Sequence, residues 1–414
     1  MSPGPPMRRG PRPLPLHLGL AAMRGWAALA SAPMPFLPAW TRSSGAWPRS
    51  RQGQAEAARL AARLAAGGHR PEAFRAALLR ALLRQDRALL AGIAAYRRHP
   101  FRRDLPDPPA LWREGGSRLL DYGAGRGGRV ALFVPSLVNR AHVLDLMEGG
   151  SMLRFLAGRG LRPLLLDWGW PGEAERRFGL DDYVAGRLER ALGAAAAAAG
   201  GKVVLVGYCM GGLLALAAAL RRPEAVRALA LLATPWDFWA EDAARARGLA
   251  RLLPGFEPAM AATGALPVDA IQTLFAMLDP FSVAGKFRAF ARLDPEGARA
   301  RLFVALEDWL NDGVPLAAPV ARECLAGWYG ANAPARGEWR VAGRVVAPQA
   351  WRGPAFLAIP ARDRIVPPAS AAVLAALLPG AVAHRPEAGH IGMVAGGGAE
   401  AALWRPLLDW IEGA

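Results

Sequence analysis

The feature that most constrains this chain is the stretch from Lys202 to Leu220, which reads KVVLVGYCMGGLLALAAAL. Its first part is apolar and mostly β-branched, as in a central strand of a parallel sheet that is buried on both faces. Its last part is rich in Ala and Leu and predicts a helix. Glycines surround Cys209 where the strand would meet the helix, and they permit a turn too tight for a Cβ at those positions. We therefore predict that Cys209 lies on a strained strand-to-helix turn, at a helix N-terminus that favours negative charge.

Composition limits the classes of function. The chain has 414 residues and a net charge of +17, almost all of it from arginine, because Lys202 and Lys286 are the only lysines. The arginines are scattered through predicted helices without a nucleic-acid-binding motif, so we predict no nucleic-acid partner but retain an anionic substrate. The two cysteines, Cys209 and Cys324, form no disulfide framework, and a working thiol suits the cytoplasm. No Cys/His cluster has metal-ligand spacing and no run of about 18 apolar residues occurs, so we predict no metal, no cofactor and no transmembrane helix.

The composition also changes along the chain. The N-terminal residues are rich in Pro, Gly, Arg and Trp, and we interpret them as a flexible or surface-binding arm, with packing on the main domain as the alternative. Residues 118–122 are predicted to form an edge strand. Strand–helix alternation stops after residue 236, and prolines divide the next segment, which predicts a helical cap insertion over the active site. The predicted regions are the arm (1–50), a helical region (51–111), the first part of an α/β core (112–236), the cap (237–347) and the second part of the core (348–414).

Two polar residues follow later predicted strands in an order that bears on Cys209. Asp363 follows an apolar strand at 354–360, and His390 follows the last short strand. A nucleophile, an acid and a histidine in this chain order, each beyond the end of a strand, are typical of the α/β-hydrolase fold, a mostly parallel sheet flanked by helices. We predict that His390 takes the proton of Cys209 and that Asp363 orients and stabilises His390. The alternatives are a buried structural cysteine, a loop histidine and an aspartate that caps a turn.

A second set of candidates concerns the oxyanion of an acyl-transfer intermediate. The backbone N–H of Met210 directly follows the nucleophile and is the first predicted donor. The loop after the buried strand at 130–134 would supply the second donor, which we assign to Val138 or Asn139. With these donors, attack by Cys209 on an acyl carbonyl would form a thioester acyl-enzyme.

Further motifs occur in a fixed order around the turn, namely VPSLVNR (134–140), VLDL (143–146), DWGWP (167–171), DYV (182–184), GYCMGG (207–212), EDWLNDG (307–313), DRIVP (363–367) and GHIGM (389–393). Through them, about residues 129–410 resemble the polyhydroxyalkanoate (PHA) synthases, α/β hydrolases with a cysteine nucleophile. The resemblance implies that a 3-hydroxyacyl-CoA acylates Cys209, that CoA leaves, and that a growing polyester chain accepts the acyl group. The DWGWP motif resembles most the short synthases that act with a second subunit, so a partner subunit or a homodimer is expected. Asp167, Trp168 and Tyr208 lie within these motifs and are candidates for substrate contact.

Two other functions remain open. A synthase-like hydrolase, that is a thioesterase, an esterase or a PHA depolymerase, would use the same triad with water as the acceptor. Arg364 stands directly after the acid, where many synthases have His, and leaves room for that function. A non-catalytic protein on polyester granules would use the arm, which contains Trp26, Trp40 and Trp47. We expect a cytoplasmic protein, with association to a granule surface as an option.

Overall fold

The computed structural model describes residues 8–31, 51–68, 70–124 and 127–414. Trp40 and Trp47 of the predicted arm therefore lie outside the described residues. The chain divides into two compact units, Met1–Pro100 with Pro280–Pro295, and Phe101–Asp279 with Glu296–Ala414.

The second unit contains an eight-stranded sheet. Its strands are β1 (Ala110–Glu114), β2 (Ser117–Asp121), β3 (Val130–Val134), β4 (Arg162–Asp167), β5 (Val203–Tyr208), β6 (Val226–Leu232), β7 (Ala355–Ala358) and β8 (Val382–His384). The spatial order is β1-β2-β4-β3-β5-β6-β7-β8. β1 and β2 pair antiparallel with each other, and β2 pairs antiparallel with β4, whereas all other pairs are parallel. The predicted fold class is confirmed.

Helices account for most of the remaining described residues. The α-helices are α1 (Leu14–Ser31), α2 (Arg51–Ala66), α3 (Pro71–Arg98), α4 (Met152–Ala157), α5 (Glu189–Ala199), α6 (Met210–Arg221), α7 (Ala243–Ala250), α8 (Leu253–Thr263), α9 (Val268–Ala276), α10 (Ser282–Phe290), α11 (Ala298–Asn311), α12 (Ala318–Arg322), α13 (Pro368–Leu377), α14 (Gly392–Ala395) and α15 (Arg405–Gly413). π-Helical segments span Asp182–Leu188, Glu323–Gly330 and Glu400–Trp404, and 3-10 segments span Ala141–Leu144, Glu175–Arg177 and Pro348–Ala350. Short strand pairs join Asp145–Met147 to Gly150–Ser151, Ala265–Leu266 to Leu316–Ala317, and Arg340–Val341 to Arg344–Val345.

The central strand β5 explains why the chain folds around residues 202–220. All six of its residues are buried, and they alternate between two hydrophobic cores, one on each face of the sheet. Val203 and Leu205 enter one core, and Val204 and Val206 enter the other. The helix α6 that follows is buried from Met210 to Ala219, so the turn between β5 and α6 is held by buried elements on both sides.

The edge of the sheet differs from the prediction. Residues 118–122 were expected at the edge, but β2 lies between β1 and β4, so that prediction is wrong. The true edge strand, β1, alternates half-buried and exposed residues and begins directly after Pro108 and Pro109. A short strand with this weak apolar pattern carries little sequence signal, because an edge strand buries only part of one face.

The first unit is built from helices. Tyr96 of α3 packs edge-on against Phe287 of α10, with ring centroids 5.6 Å apart. Arg24 of α1 donates a hydrogen bond to Gln85 of α3 at 2.6 Å. Trp26, on the same helix as Arg24, is 75% exposed. Within the described ranges, no helix has both the length and the apolar character needed to cross a membrane.

The segment between β6 and β7 is mainly helical, as the fold prediction stated. It comprises α7 to α12 and the π-helical segment Glu323–Gly330, and α10 belongs to the first unit. The remaining helices of this segment lie in the same unit as Cys209 and contribute most of the wall of the cavity described below.

Candidate active site

Cys209 lies on the tight turn between β5 and α6. Its backbone has φ 56° and ψ −129°, a conformation that costs a residue with a side chain roughly 1–3 kcal/mol. Its N–H donates to the carbonyl of Leu232 on β6 at 2.8 Å, which ties the turn to the neighbouring strand. The surrounding sheet therefore maintains the strained backbone of Cys209. The turn places the thiol at the carboxyl end of the sheet.

The glycines beside Cys209 are needed because other atoms approach them closely. A Cβ on Gly211 would collide with the carbonyl groups of Val134 and Pro135, and one on Gly212 would collide with the Thr234 side chain. A Cβ on Gly207 would overlap the backbone of Gly212. The spacing seen in the sequence is thus a packing requirement of the turn.

His390 and Asp363 form a buried pair beside the thiol. The Nδ1–H of His390 donates to Oδ2 of Asp363 at 2.7 Å, and the side chain of Asp363 is fully buried. The other carboxylate oxygen of Asp363 accepts the backbone N–H groups of Ile365 at 2.8 Å and Val366 at 2.9 Å. The side chain of His390 also hydrogen-bonds Cys209, and because Nδ1 is engaged by Asp363, the other ring nitrogen makes this contact.

The electrostatics of the pair favour a charged imidazole. Burial by itself lowers the pKa of His390, but the negative charge of Cys209 and hydrogen bonds to Asp363 and Cys209 outweigh burial. The pKa of His390 rises from its ordinary 6.5 to about 10. The site therefore holds a proton on His390, next to the sulfur, over the neutral pH range.

Tyr208 contacts this histidine from below. Its ring lies 5.1 Å from the His390 ring between centroids, and its hydroxyl donates to the His390 carbonyl at 3.2 Å. Burial, together with the charges of Cys209 and Asp363, raises the pKa of Tyr208 well above its usual value. Tyr208 is not among the residues that line the cavity described below, its contacts support His390, and its role in substrate contact stays a prediction.

An active-site cavity of about 210 Å³ opens above Cys209. Ser136, Val138, Cys209 and Met210 form its base. Its walls are mostly apolar and come largely from the helical segment between β6 and β7, including Phe238, Leu249, Leu266, Ile271, Leu274, Phe275, Leu316, Cys324, Leu325, Trp328 and Tyr329. Such a mostly apolar cavity suits an acyl group.

The candidate oxyanion donors are not equally placed. Met210 and Val138 line the cavity, and Asn139 does not. The Val138 N–H already donates to the Ser136 hydroxyl at 3.2 Å, so it would have to exchange this partner for an oxyanion. The side-chain Oδ1 of Asn139 is buried without a hydrogen-bond partner among the described residues. Met210 therefore remains the first candidate among the predicted donors, and this role stays a prediction.

Asp167 and Trp168 have internal partners. Asp167 forms an ion pair with Arg118 at 2.6 Å and accepts the Gly169 N–H at 3.1 Å. The indole N–H of Trp168 donates to the carbonyl of Pro135 at 3.0 Å. Neither residue lines the cavity. The contact of Trp168 braces the loop after β3, which forms part of the base, and a role of either residue in substrate contact stays a prediction.

The structure adds residues that the sequence did not single out. Trp328, Tyr329 and Cys324 come from the π-helical segment and line the cavity with Cys209. Burial and the charges of Cys209 and Cys324 raise the pKa of Tyr329, so its hydroxyl keeps its proton and can donate. No spacing signal could have identified them, because this segment repeats no motif and its position over the sheet depends on the fold.

The mouth of the cavity carries charges of both signs. Arg364 forms an ion pair with Asp279 at 2.5 Å, and its side chain is 80% exposed. Arg245 donates to the carbonyl groups of Met277 and Leu278. Glu241 and Asp242 also line this region. Elsewhere in the described ranges, no group of three His, Cys, Asp or Glu side chains could hold a metal ion.

The sequence of this chain is similar to a known family and to several named proteins. A family model described as the alpha/beta hydrolase fold matches residues 133–396. A poly(3-hydroxyalkanoate) polymerase subunit PhaC from Synechocystis sp. is 30% identical, over 68% of this chain and 77% of its own length. The subunit of that name from Allochromatium vinosum is 28% identical, over 68% of this chain and 80% of its own length. The subunit of that name from Haloferax mediterranei is 27% identical, and the aligned part covers 72% of this chain and 62% of that relative.

Proposed function

The chain belongs to the alpha/beta hydrolase fold family and, within it, to the poly(3-hydroxyalkanoate) polymerase subunits, and we propose that it transfers 3-hydroxyacyl groups from CoA to a growing polyester. The observation that carries the proposal is the position of Cys209. It lies on a strained turn, at the base of an apolar cavity, beside a hydrogen-bonded His390–Asp363 pair.

The first step is acylation of Cys209. The thiol proton rests on His390, and the thiolate attacks the thioester carbonyl carbon of a 3-hydroxyacyl-CoA. The backbone N–H of Met210 stabilises the oxyanion of the tetrahedral intermediate. The carbon–sulfur bond to CoA then breaks, and CoA leaves as a thiol with the proton from His390. The acyl group remains on Cys209 as a thioester, and Asp363 keeps the ring of His390 in the orientation that both transfers need.

The second step transfers the acyl group. The terminal hydroxyl of the polyester chain gives its proton to His390 and attacks the thioester carbonyl on Cys209. A new carbon–oxygen ester bond forms, the carbon–sulfur bond breaks, and the thiolate returns beside a protonated His390. Neither step requires a metal or a cofactor in this proposal.

The apolar cavity supports transfer to a polyester instead of water. Its walls would hold an acyl chain and keep bulk water from the thioester, which slows hydrolysis. Arg245 and Arg364 at the mouth would attract the phosphates of CoA, which remain outside the apolar part. The runner-up is a hydrolase that uses the same residues with water as the acceptor.

Acylation is tested by intact-protein mass spectrometry after incubation with 3-hydroxybutyryl-CoA. The wild type should gain one acyl group and release CoA, and Cys209→Ala should do neither. Cys324→Ala is the matched control, because Cys324 lines the same cavity, and it should still be acylated. If Cys209→Ala releases CoA as fast as the wild type, the assignment of the nucleophile fails.

Polymerase and hydrolase are distinguished by the product of the same reaction. Solvent-precipitable polyester supports the polymerase, whereas free hydroxy acid as the sole product supports the hydrolase. The relatives are named as subunits, so we propose that this chain acts with a partner subunit or as a homodimer, and the assay is run with and without such a partner.

Association with a polyester granule surface is also proposed for residues 1–50. Deletion of these residues should reduce partition of the protein onto isolated granules. Unchanged partition of the truncated protein onto granules would contradict the proposal. Unchanged acylation of Cys209 in the truncated protein would show that the site is intact.

A further inference from the structure

A second cavity lies at the opposite end of the sheet from Cys209. It has a volume of about 580 Å³ and is lined by five cationic side chains, which are Lys202, Arg221, Arg227, Arg344 and Arg352. No carboxylate is among the described residues that line it. We call it the basic cavity.

Its position separates it from the active site. Lys202 immediately precedes β5, and Arg227 is the second residue of β6, so the basic cavity lies at the amino ends of these strands. Cys209 follows the carboxyl end of β5, seven residues after Lys202, which corresponds to roughly 23 Å of extended strand. A ligand in the basic cavity would therefore not touch the thiol.

Most of the positive charge in the basic cavity is uncompensated. Arg221 is paired with Glu189 at 2.5 Å, and Arg352 donates to the carbonyl of Gln349 at 2.8 Å. Lys202, Arg227 and Arg344 have no ion pair or hydrogen bond from their side chains within the described part of the chain. Glu224 lies outside the lining, where Arg222 engages it at 2.5 Å and the charge of Lys202 also acts on it, so Arg227 and Arg344 are the cations left without a compensating carboxylate or a side-chain hydrogen bond in the described part of the chain.

We propose that the basic cavity binds linked phosphate groups, that is, a diphosphate or triphosphate. Several guanidinium groups around one concave site can bind phosphate oxygens in pairs, whereas a single carboxylate would leave most of them unused. The Trp351 ring is only 4% exposed, so it offers little surface on which a base could stack. The basic cavity would therefore bind the phosphate groups of its ligand, which could be inorganic triphosphate or a nucleotide. This proposal does not depend on the polymerase activity.

The test is isothermal titration of the full-length protein with inorganic triphosphate, with ATP and with a single-stranded oligonucleotide. The test variant is Arg227→Ala with Arg344→Ala. The control variant is Arg113→Ala with Arg385→Ala, which removes the same charge from exposed positions outside the basic cavity. The urea unfolding midpoint of every variant is measured and should match that of the wild type, which shows that the fold is intact.

We expect triphosphate to bind the wild type at one site, with an affinity that falls at least tenfold in the test variant and stays the same in the control. Equal affinity for ATP supports recognition of phosphates alone, and tighter binding of ATP identifies a nucleotide as the source. An equal loss in both variants would show only general attraction of anions to a basic protein. That result, the absence of saturable binding, or stronger binding of the oligonucleotide would each overturn the proposal.

Discussion

At the scale of single residues, Asp363 performs two tasks with one carboxylate. One oxygen accepts the N–H groups of Ile365 and Val366, which fixes the loop, and the other accepts Nδ1–H of His390. An amide at this position could keep part of the loop contact but would not stabilise a charged imidazole. The pairing therefore links the geometry of the loop to the charge of His390.

This link predicts the effect of Asp363→Asn on the pKa of His390. The His390 pKa of about 10 depends in part on the hydrogen bond and the charge of Asp363, which oppose the lowering effect of burial. Without the Asp363 charge, burial is opposed mainly by Cys209, so the pKa of His390 should fall. Nitrogen NMR of labelled His390 measures this change. Cys209→Ala should lower the same pKa, because the sulfur also stabilises the imidazolium. A pKa of about 10 that persists in both variants would contradict this account.

Two other aspartates in the motifs form ion pairs with arginines. The sequence alone could not distinguish these aspartates from Asp363. Asp363, Asp167 and Asp145 all stand in motifs beside apolar strands or loops. Only the structure shows that Asp167 pairs with Arg118 and that Asp145 is fully buried between Arg103 and Arg154. Arg118 lies 49 residues from Asp167 and Arg103 lies 42 residues from Asp145, so spacing along the chain does not reveal these pairs.

Asp145→Asn should therefore destabilise the protein without removing the nucleophile. Asp145 binds Arg103 at 3.0 Å and Arg154 at 2.8 Å, and it accepts a hydrogen bond from Ser151 at 2.6 Å. Loss of a fully buried charged partner should cost about 2–4 kcal/mol of unfolding free energy, since both arginines retain some access to water. Urea denaturation measures it. Asp107→Asn is the control, because this ion pair is half exposed and should change stability by less than about 1 kcal/mol.

At the scale of elements, a glycine in the strand-to-helix turn and a glycine inside a helix should respond in opposite ways to substitution by alanine. A Cβ on Gly212 would overlap the side chain of Thr234, so Gly212→Ala should cost about 1–3 kcal/mol of unfolding free energy. Gly193 lies inside α5 with open space around its Cβ position, so Gly193→Ala should add about 0.5–1 kcal/mol. Chemical denaturation of both variants tests the pair.

The overlap also predicts a partial rescue. Thr234→Ala removes two of the three atoms nearest to the added Cβ, so the double variant with Gly212→Ala should lose less than the sum of the single losses. Strictly additive losses would show that the cost of Gly212→Ala does not come from this contact.

The sequence predicted the buried elements better than the exposed ones. The buried strand predicted at 130–134 is β3, which spans Val130–Val134, and α6 begins at Met210 as the turn required. These elements are buried almost throughout, so their apolar pattern is strong. β1 was not predicted, because its half-exposed residues carry neither a continuous apolar run nor a clear alternation of large apolar side chains. The remaining predicted regions of the chain stay predictions.

At the scale of the whole molecule, the site combines residues that lie far apart in sequence. Ser136, Cys209 and Tyr329 line one cavity although they come from a loop, a turn and a π-helical segment. The order of nucleophile, acid and histidine could be predicted, because the fold places each beyond a strand. The cavity walls could not, because packing of the helical segment over the sheet depends on contacts that leave no periodic pattern.

The charge on His390 should make the stability of the whole molecule depend on pH. Its pKa is about 10 in the folded state and 6.5 ordinarily, and its proton comes from the Cys209 thiol. An unfolded cysteine loses its proton at about pH 8.5, so the folded pair binds more protons than the unfolded state between about pH 8.5 and 10. The stabilisation is lost over this range as pH rises through about 10, with a slope of up to about 1.4 kcal/mol per pH unit. Urea denaturation between about pH 8.5 and 10 measures this slope, which His390→Gln should reduce.

His142 supplies a control of opposite sign. Burial, together with the charges of Arg103 and Arg140, lowers its pKa from 6.5 to about 4. His142 is therefore neutral in both the folded and the unfolded states above about pH 7, and its contribution no longer changes there. His142→Gln should keep the wild-type slope at alkaline pH, even if it lowers the stability at every pH. If His142→Gln removes the slope, or if His390→Gln keeps it, the alkaline loss of stability does not come from the imidazolium beside Cys209.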